Sequence, residues 1–248
     1  MNVTPLNTRR KEILQSIVEL YIESAIPVSS QAVARRLEWR ISAATVRNVM
    51  AELVDLGLLW QPHTSAGRVP TDSGYRYYIN SLLEIEELTR SEQELIESGY
   101  PSNPEAFDEL LTGVLQLLSN VSRYTAFAFS ALGKERLYIT GTSYILEQPE
   151  FQDARKLQGI LRTFERQEPL LEIIKEDLAR EGVKVHIGGE NPYEDIRECS
   201  LVISNYKIKD TDTGALGIIG PRRMSYAKAI STVDYIARTF SAGFSDIE

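Results

Sequence analysis

The sequence is poor in the residues on which metal centres and thiol chemistry are built. Its 248 residues hold one cysteine, Cys199, and two histidines, His63 and His186. One cysteine excludes an internal disulfide and an all-cysteine metal site. Two histidines so far apart in sequence give no metal-ligand spacing. No catalytic group, metal or cofactor is expected. Long apolar runs are also missing: none approaches the roughly 20 residues that a membrane span needs. The opening "MNVTPLNTRRKE" is polar, unlike the basic start and apolar core of a secretion signal. These absences point to a cytoplasmic protein without a membrane partner, and a reducing compartment suits the unpaired thiol.

At 43% hydrophobic residues the chain can bury a sizeable core in one or two domains. Its net charge of -8 is a poor match for nucleic acid, because phosphate contacts draw on Lys and Arg. The charge is unevenly distributed, however. Residues 1–80 carry nine Lys/Arg against seven Asp/Glu, whereas 84–109 carry nine acids opposed by Arg90 alone. Such asymmetry suggests separate tasks, although an acidic run is most often a solvated face.

Apolar residues at Ile13, Leu14, Ile17, Val18, Tyr21 and Ile22 follow the 3.6 period of an amphipathic helix that Pro27 stops. Ser29 or Ser30 can cap a short second helix through Leu37, and "EWRI" leads to Ser42. Ser42 caps a third helix ending at Gly57, with Val46, Val49, Met50, Leu53 and Gly57 on its buried face. Leu58-Leu59-Trp60 and Val69 read as short strands around the loop "QPHTSAGR". Thr71 or Asp72 then caps a helix carrying Tyr75, Tyr78, Ile79 and Leu82. A capping box, Ser91 with Glu94, opens a helix in the acidic segment, and "YPSNPE" breaks the chain. Beyond the break, Leu110–Leu118 is helical. "RYTAFAFSAL", "RLYIT", "VKVHIGG", "CSLVISNYKI" and "GALGIIG" read as strands, with helices near Ala154–Phe164, Leu170–Glu181 and Ser225–Phe240. The fold class is α+β with a mainly antiparallel sheet. Three domains follow: 1–83, an acidic helical linker at 84–109, and 110–248.

Helix, helix, helix, strand, polar loop, strand is the order of a winged helix-turn-helix. The third helix would then be a recognition helix, with Ala44, Thr45, Arg47 and Asn48 toward base edges. Arg47 suits guanine O6/N7, Asn48 suits adenine N6/N7, and Thr45 suits a phosphate or a thymine methyl. The loop would be a wing, with Arg68 at its tip beside flexible Gly67, and Thr64 and Ser65 as neutral phosphate donors. Ser30, Arg35 and Arg36 are candidates to clamp phosphates. The bland alternatives are a solvated helix face and an ordinary hairpin.

The stretch "ISAATVRNVMAELVDLGLLWQPHTSAGRVPTDSGYRYYINSLL", Ile41–Leu83, resembles the HrcA family of heat-inducible transcription repressors. The resemblance also covers "LNTRRKEILQSIVELYI" and "PVSSQAVARRL", and resumes at "YITGTSYILEQPEFQD", "VHIGGEN", "ECSLVISNY" and "LGIIGPRRMSYAKAISTVDYIA". It implies a winged-helix DNA-binding domain followed by a GAF-like α/β domain. It further implies a homodimer on an inverted-repeat operator upstream of chaperone operons, inactivation by heat, and the GroEL chaperonin as a partner that keeps the repressor active. Two departures stand out. Val49 replaces the family's usual acid, at a position that helical spacing turns to the core or its edge. "FAFSALGKERLYIT" also crosses the place of an inserted dimerisation subdomain with almost nothing between the strands, a shortened insertion near 130–137. The GAF-like faces or the Glu84–Glu97 helix would then supply the dimer contact.

Other candidates are weaker. Glycines 214, 217 and 220 match neither a dinucleotide fingerprint nor a Walker loop. Tight strand packing or an anion site at Arg222 and Arg223 would account for them. Cys199 with His63 or His186 raises a thiol hydrolase, against a buried structural cysteine. The alternative function is thus a ligand-sensing GAF-type regulator or thiol-dependent enzyme with an accessory N-terminal interaction domain.

Overall fold

The computed structural model of the protein describes residues 6–100, 107–132, 134–208 and 212–245. It divides into two compact units, residues 1–84 and 85–248.

In the first unit, α1 (Thr8–Ser24), α2 (Ser30–Arg36) and α3 (Ala43–Asp55) precede a two-stranded hairpin of β1 (Leu59–Trp60) and β2 (Val69–Pro70), and α4 (Asp72–Ser81) closes it. Each helix starts on a side-chain cap that accepts a first-turn N–H: Asn7, Ser29, Ser42 and Thr71. Ser29 and Thr71 are therefore the caps, while Ser30 and Asp72 lie inside their helices. The stripe Ile13, Leu14, Ile17 and Val18 of α1 is fully buried, as are Val33 and Ala34 of α2 and Val46 and Leu53 of α3. Burying a side chain of that size contributes about 1.5–3 kcal/mol. Gly57 departs from the expected buried face. It is exposed with φ +71°, and its role is the left-handed turn that ends α3. Thr71 ties that turn to α4 by donating to the Gly57 carbonyl at 2.6 Å.

The second unit is a five-stranded, wholly antiparallel sheet in the order β4-β3-β7-β6-β5. Its strands are β3 (Thr125–Ser130), β4 (Arg136–Thr140), β5 (Lys184–Ile187), β6 (Cys199–Ile208) and β7 (Asp212–Pro221). One face, with Phe127, Phe129, Leu201, Ile203 and Ile219, packs on α7 (Ala154–Arg166) and α8 (Glu168–Leu178). The other packs on α6 (Phe107–Ser122) and α9 (Tyr226–Ser245). Both faces are covered, so β3 is buried at all six positions and its sequence clusters apolar residues instead of alternating them.

The glycines of β7 are spaced for packing. A Cβ on Gly220 would sit 2.6 Å from the Tyr124 ring, and one on Gly217 2.8 Å from the Phe127 ring. Helix α5 (Arg90–Ser98) opens on a capping box of Thr89 and Glu92, replacing the expected pair Ser91 and Glu94. Thr89 wins because its backbone is extended, as a cap requires, whereas Ser91 already lies inside the helix. The helix is held on α9: Lys228 donates to Glu92, Tyr235 to Glu97 at 2.6 Å, and Tyr100 to the Ile236 carbonyl at 3.0 Å. The acidic segment expected as a linker thus packs within the second unit through α5. Most of the expected break "YPSNPE" lies outside the described residues. Among the described residues, no helix is long and apolar enough to cross a membrane.

Candidate nucleic-acid interface

Helix α3 divides its residues by face. Val46, Val49, Met50 and Leu53 are buried, and Ala44, Arg47, Asn48 and Ala51 are exposed. Val49 is 6% exposed, so the position where the family pattern carries an acid belongs to the core here. Three of the four expected base-reading residues therefore share the free face. The fourth, Thr45, serves the helix start. Its amide donates to the Ser42 hydroxyl at 3.1 Å, and the two hydroxyls lie 2.9 Å apart. Arg47 forms no ion pair among the described residues, while Glu52 further along the helix is neutralised by Arg10 of α1 at 2.8 Å. The amino half of α3 is thereby left with an uncompensated positive charge.

The wing is built from its base. Strand pairing of Leu59 with Pro70 and Trp60 with Val69 closes the hairpin. Gln61 then bridges the loop, its Nε2 donating to the carbonyls of Thr64 at 2.8 Å and Ala66 at 3.0 Å. His63, Thr64 and Ser65 are exposed, and the His63 carbonyl accepts from the Ala66 amide, so His63 is a turn residue. Arg68 is not at the tip. Its amide donates to the Val28 carbonyl at 2.8 Å and its carbonyl accepts from the Val28 amide at 2.9 Å, which stitches the wing to the α1–α2 connection. Gly67 is correspondingly a close-packing residue and not a flexible one. A Cβ there would lie 2.5 Å from the Pro27 carbonyl oxygen and would also collide with Val28.

Arg47, Ser30, Arg68, Thr64 and Ser65 line a common cleft of about 310 Å³ between α2, α3 and the wing. Ser29, Met50 and Gln61 are also part of its wall and were not expected from sequence. Gln61 alone carries a signal, as an amide at the mouth of a hairpin loop. Arg68 reaches the Ala66 carbonyl through Nη1 at 3.3 Å, but its Nε is buried without a partner among the described residues. An orphaned buried donor costs about 1–3 kcal/mol. Ser30 is 9% exposed and Arg35 is exposed without an ion pair among the described residues, but Arg36 is not available as a clamp. Its guanidinium faces Glu19 at 3.1 Å and Glu23 at 3.3 Å on α1.

The sites expected in the second unit are not assembled. Arg222 pairs with Glu198 at 2.8 Å and Arg223 with Glu150, so two carboxylates occupy the place of an anion. Cys199 is fully buried in the sheet, and desolvation pushes its thiol well above the ordinary range, so it stays protonated. His186 lies against Asp177 at 2.6 Å in place of the thiol.

Comparison with known proteins accords with this layout. The family model described as "Winged helix-turn-helix transcription repressor, HrcA DNA-binding" matches residues 5–83, and the one described as "HrcA protein C terminal domain" matches 74–230. The chain belongs to the HrcA family. It is 30% identical to the heat-inducible transcription repressor HrcA of Pelotomaculum thermopropionicum over 95% of this chain and 96% of that protein. It is 31% identical to the HrcA of Geobacter sulfurreducens over 96% and 98%. A crystal structure of a hypothetical protein, 21% identical, has the same fold with a TM-score of 0.81 over 97% of this chain and 99% of that one. The alignment to the Pelotomaculum HrcA spans 334 positions against 248 residues here, so at least 86 positions, the difference, have no residue in this chain. The connection between β3 and β4 is only residues 131–135. This HrcA-family chain is thus a winged-helix DNA-binding protein of the repressor class, which is not an enzymatic one.

Proposed function

We propose that this HrcA-family chain represses chaperone operons by binding an inverted-repeat operator as a homodimer and is released from it on heat stress. The observation that supports this best is the cleft between α3 and the wing. There Arg47, which forms no ion pair among the described residues, and Arg68 line one space together with Thr64 and Ser65 of the wing.

In this account Ala44, Arg47 and Asn48 face base edges in the major groove, with Thr45 at the helix start. Thr64, Ser65 and Arg68 meet the adjacent backbone, Gly67 seats the wing, and Ser30 and Arg35 assist at phosphates. Two-fold symmetry matches a palindrome whose half-sites lie a whole turn, roughly 34 Å, apart. Because the β3–β4 connection is short, the dimer contact lies on the GAF-like unit or on α5, where Leu95 is 60% exposed. Heat acts by populating a state that no longer binds, which requires the binding state to be only marginally favoured near the growth temperature. Following the family resemblance, the GroEL chaperonin is the partner that restores the binding state.

Light scattering of the intact chain with and without an inverted-repeat duplex tests the proposal. Two chains per duplex are expected, and a chain that stays monomeric on DNA would contradict it.

A further inference from the structure

The turn between α2 and α3 holds an unusual pair. Glu38 and Trp39 are consecutive non-glycine residues in the left-handed region, with φ of 52° and 59°. L residues adopt that conformation only when the surroundings hold it. Here the turn is fixed by Glu38 N–H donating to the Arg35 carbonyl at 3.0 Å, Trp39 N–H to Ala34 at 2.8 Å, and Arg40 N–H to Leu37 at 3.1 Å. The result sends Leu37 into the core at 7% exposure and leaves the Trp39 residue 60% exposed. Buried apolar positions on both flanking helices are filled by smaller residues, so the indole does not complete the core.

The surroundings of Trp39 are cationic. Arg35 precedes it, Arg40 follows it, and neither forms an ion pair among the described residues; Arg40 makes one weak bond, from Nε to the Leu37 carbonyl at 3.3 Å. Three residues further on, Ser42 caps α3 by accepting from the Thr45 N–H, and Arg47 lies on the exposed face of that helix. A helix amino end and flanking guanidinium groups favour a phosphate. An indole adds a flat apolar face for a sugar and one N–H donor for a phosphate oxygen. Arg35 and Arg40 near it in the chain match a polyanion better than a neutral apolar partner.

We propose that the Trp39–Arg40 turn is a second contact with the DNA backbone. Trp39 packs on a deoxyribose and Arg40 pairs with the neighbouring phosphate, and together they set the depth at which α3 enters the groove. This rests on α3 being the recognition helix, so the test carries Arg47→Ala beside the turn variants.

The probe is the duplex that the intact chain enriches most from a randomised pool. The protein has two tryptophans, so Trp60→Phe leaves Trp39 as the sole indole. Its fluorescence is expected to shift or quench on adding that duplex. Trp39→Ala should weaken binding about tenfold at constant salt dependence, with Trp39→Phe restoring most of it. Arg40→Ala should weaken it while lowering the slope of log affinity against log salt by about one. Circular dichroism of each variant should match the parent, since both side chains are exposed. Unchanged Trp39 fluorescence and unchanged affinity of Trp39→Ala, with Arg47→Ala still impaired, would overturn the proposal alone. A changed oligomeric mass for Trp39→Ala with unchanged DNA affinity would overturn it in favour of a protein contact. Failure to enrich any duplex, or an Arg47→Ala variant that binds like the parent, would remove the recognition helix and this proposal together.

Discussion

Gly67→Ala is the smallest change that should unseat the wing. The added Cβ would stand 2.5 Å from the Pro27 carbonyl oxygen and 2.5 Å from the Val28 carbonyl carbon, and it meets backbone instead of a flexible side chain. Non-bonded contact needs about 3.5 Å, so the two segments must part by roughly 1 Å. The pair of hydrogen bonds between Val28 and Arg68, 2.8 and 2.9 Å long, lies one residue away and cannot survive that displacement. Each backbone hydrogen bond is worth about 1 kcal/mol net, so the loss should be about 2 kcal/mol, within the range of about 1–3 for overpacking. Urea denaturation would measure it, and hydrogen exchange at the amides of Val28 and Arg68 would locate it, with protection lost at those two before the helices. Affinity for DNA should fall as well, because Arg68 loses its anchor. A variant with parental stability and undiminished protection at both amides would refute the packing reasoning.

Two other outcomes follow from groups in the second unit. Glu92 is held at about 2, below its ordinary 4.5, first by the hydrogen bond from Lys228 and then by those from Thr89. Its contribution to the α5–α9 contact is therefore present above pH 4.5 and is lost as pH falls through about 2; carbon NMR titration should show this, and Lys228→Ala should move Glu92 back toward 4.5. Cys199 should resist a thiol-reactive disulfide reagent at pH 8 in the native protein and react fully in denaturant, since burial keeps the thiol protonated. Rapid reaction in the native state would reopen a role for the thiol.

The helices were legible because their signals are local. The stripe from Ile13 to Val18, the cap at Ser42 and the glycine at 57 lie within a turn or two of what they specify. Capping choices between neighbours were not: Ser91 and Thr89 differ only in backbone conformation, which the following residues decide. The recognition face was readable from spacing, since Arg47 and Asn48 oppose Val46, Val49 and Met50 on any helical wheel. Arg68 shows where sequence stopped. Its place beside Gly67 suggested a flexible tip, but Val28, forty residues earlier in the chain, draws it to the base of the wing. Arg36 and the Arg222–Arg223 pair looked like anion ligands because their partners, Glu19, Glu23, Glu198 and Glu150, come from other elements. Non-local pairing decided each of these, and no periodicity records it.

The central claim is that α3 reads DNA through Arg47. Measured side by side at fixed salt, Arg47→Ala should bind the selected duplex about 5- to 150-fold more weakly than the parent, the range for a bidentate contact of about 1–3 kcal/mol, with little change on scrambled DNA. Equal affinity of parent and variant for the selected duplex would contradict it.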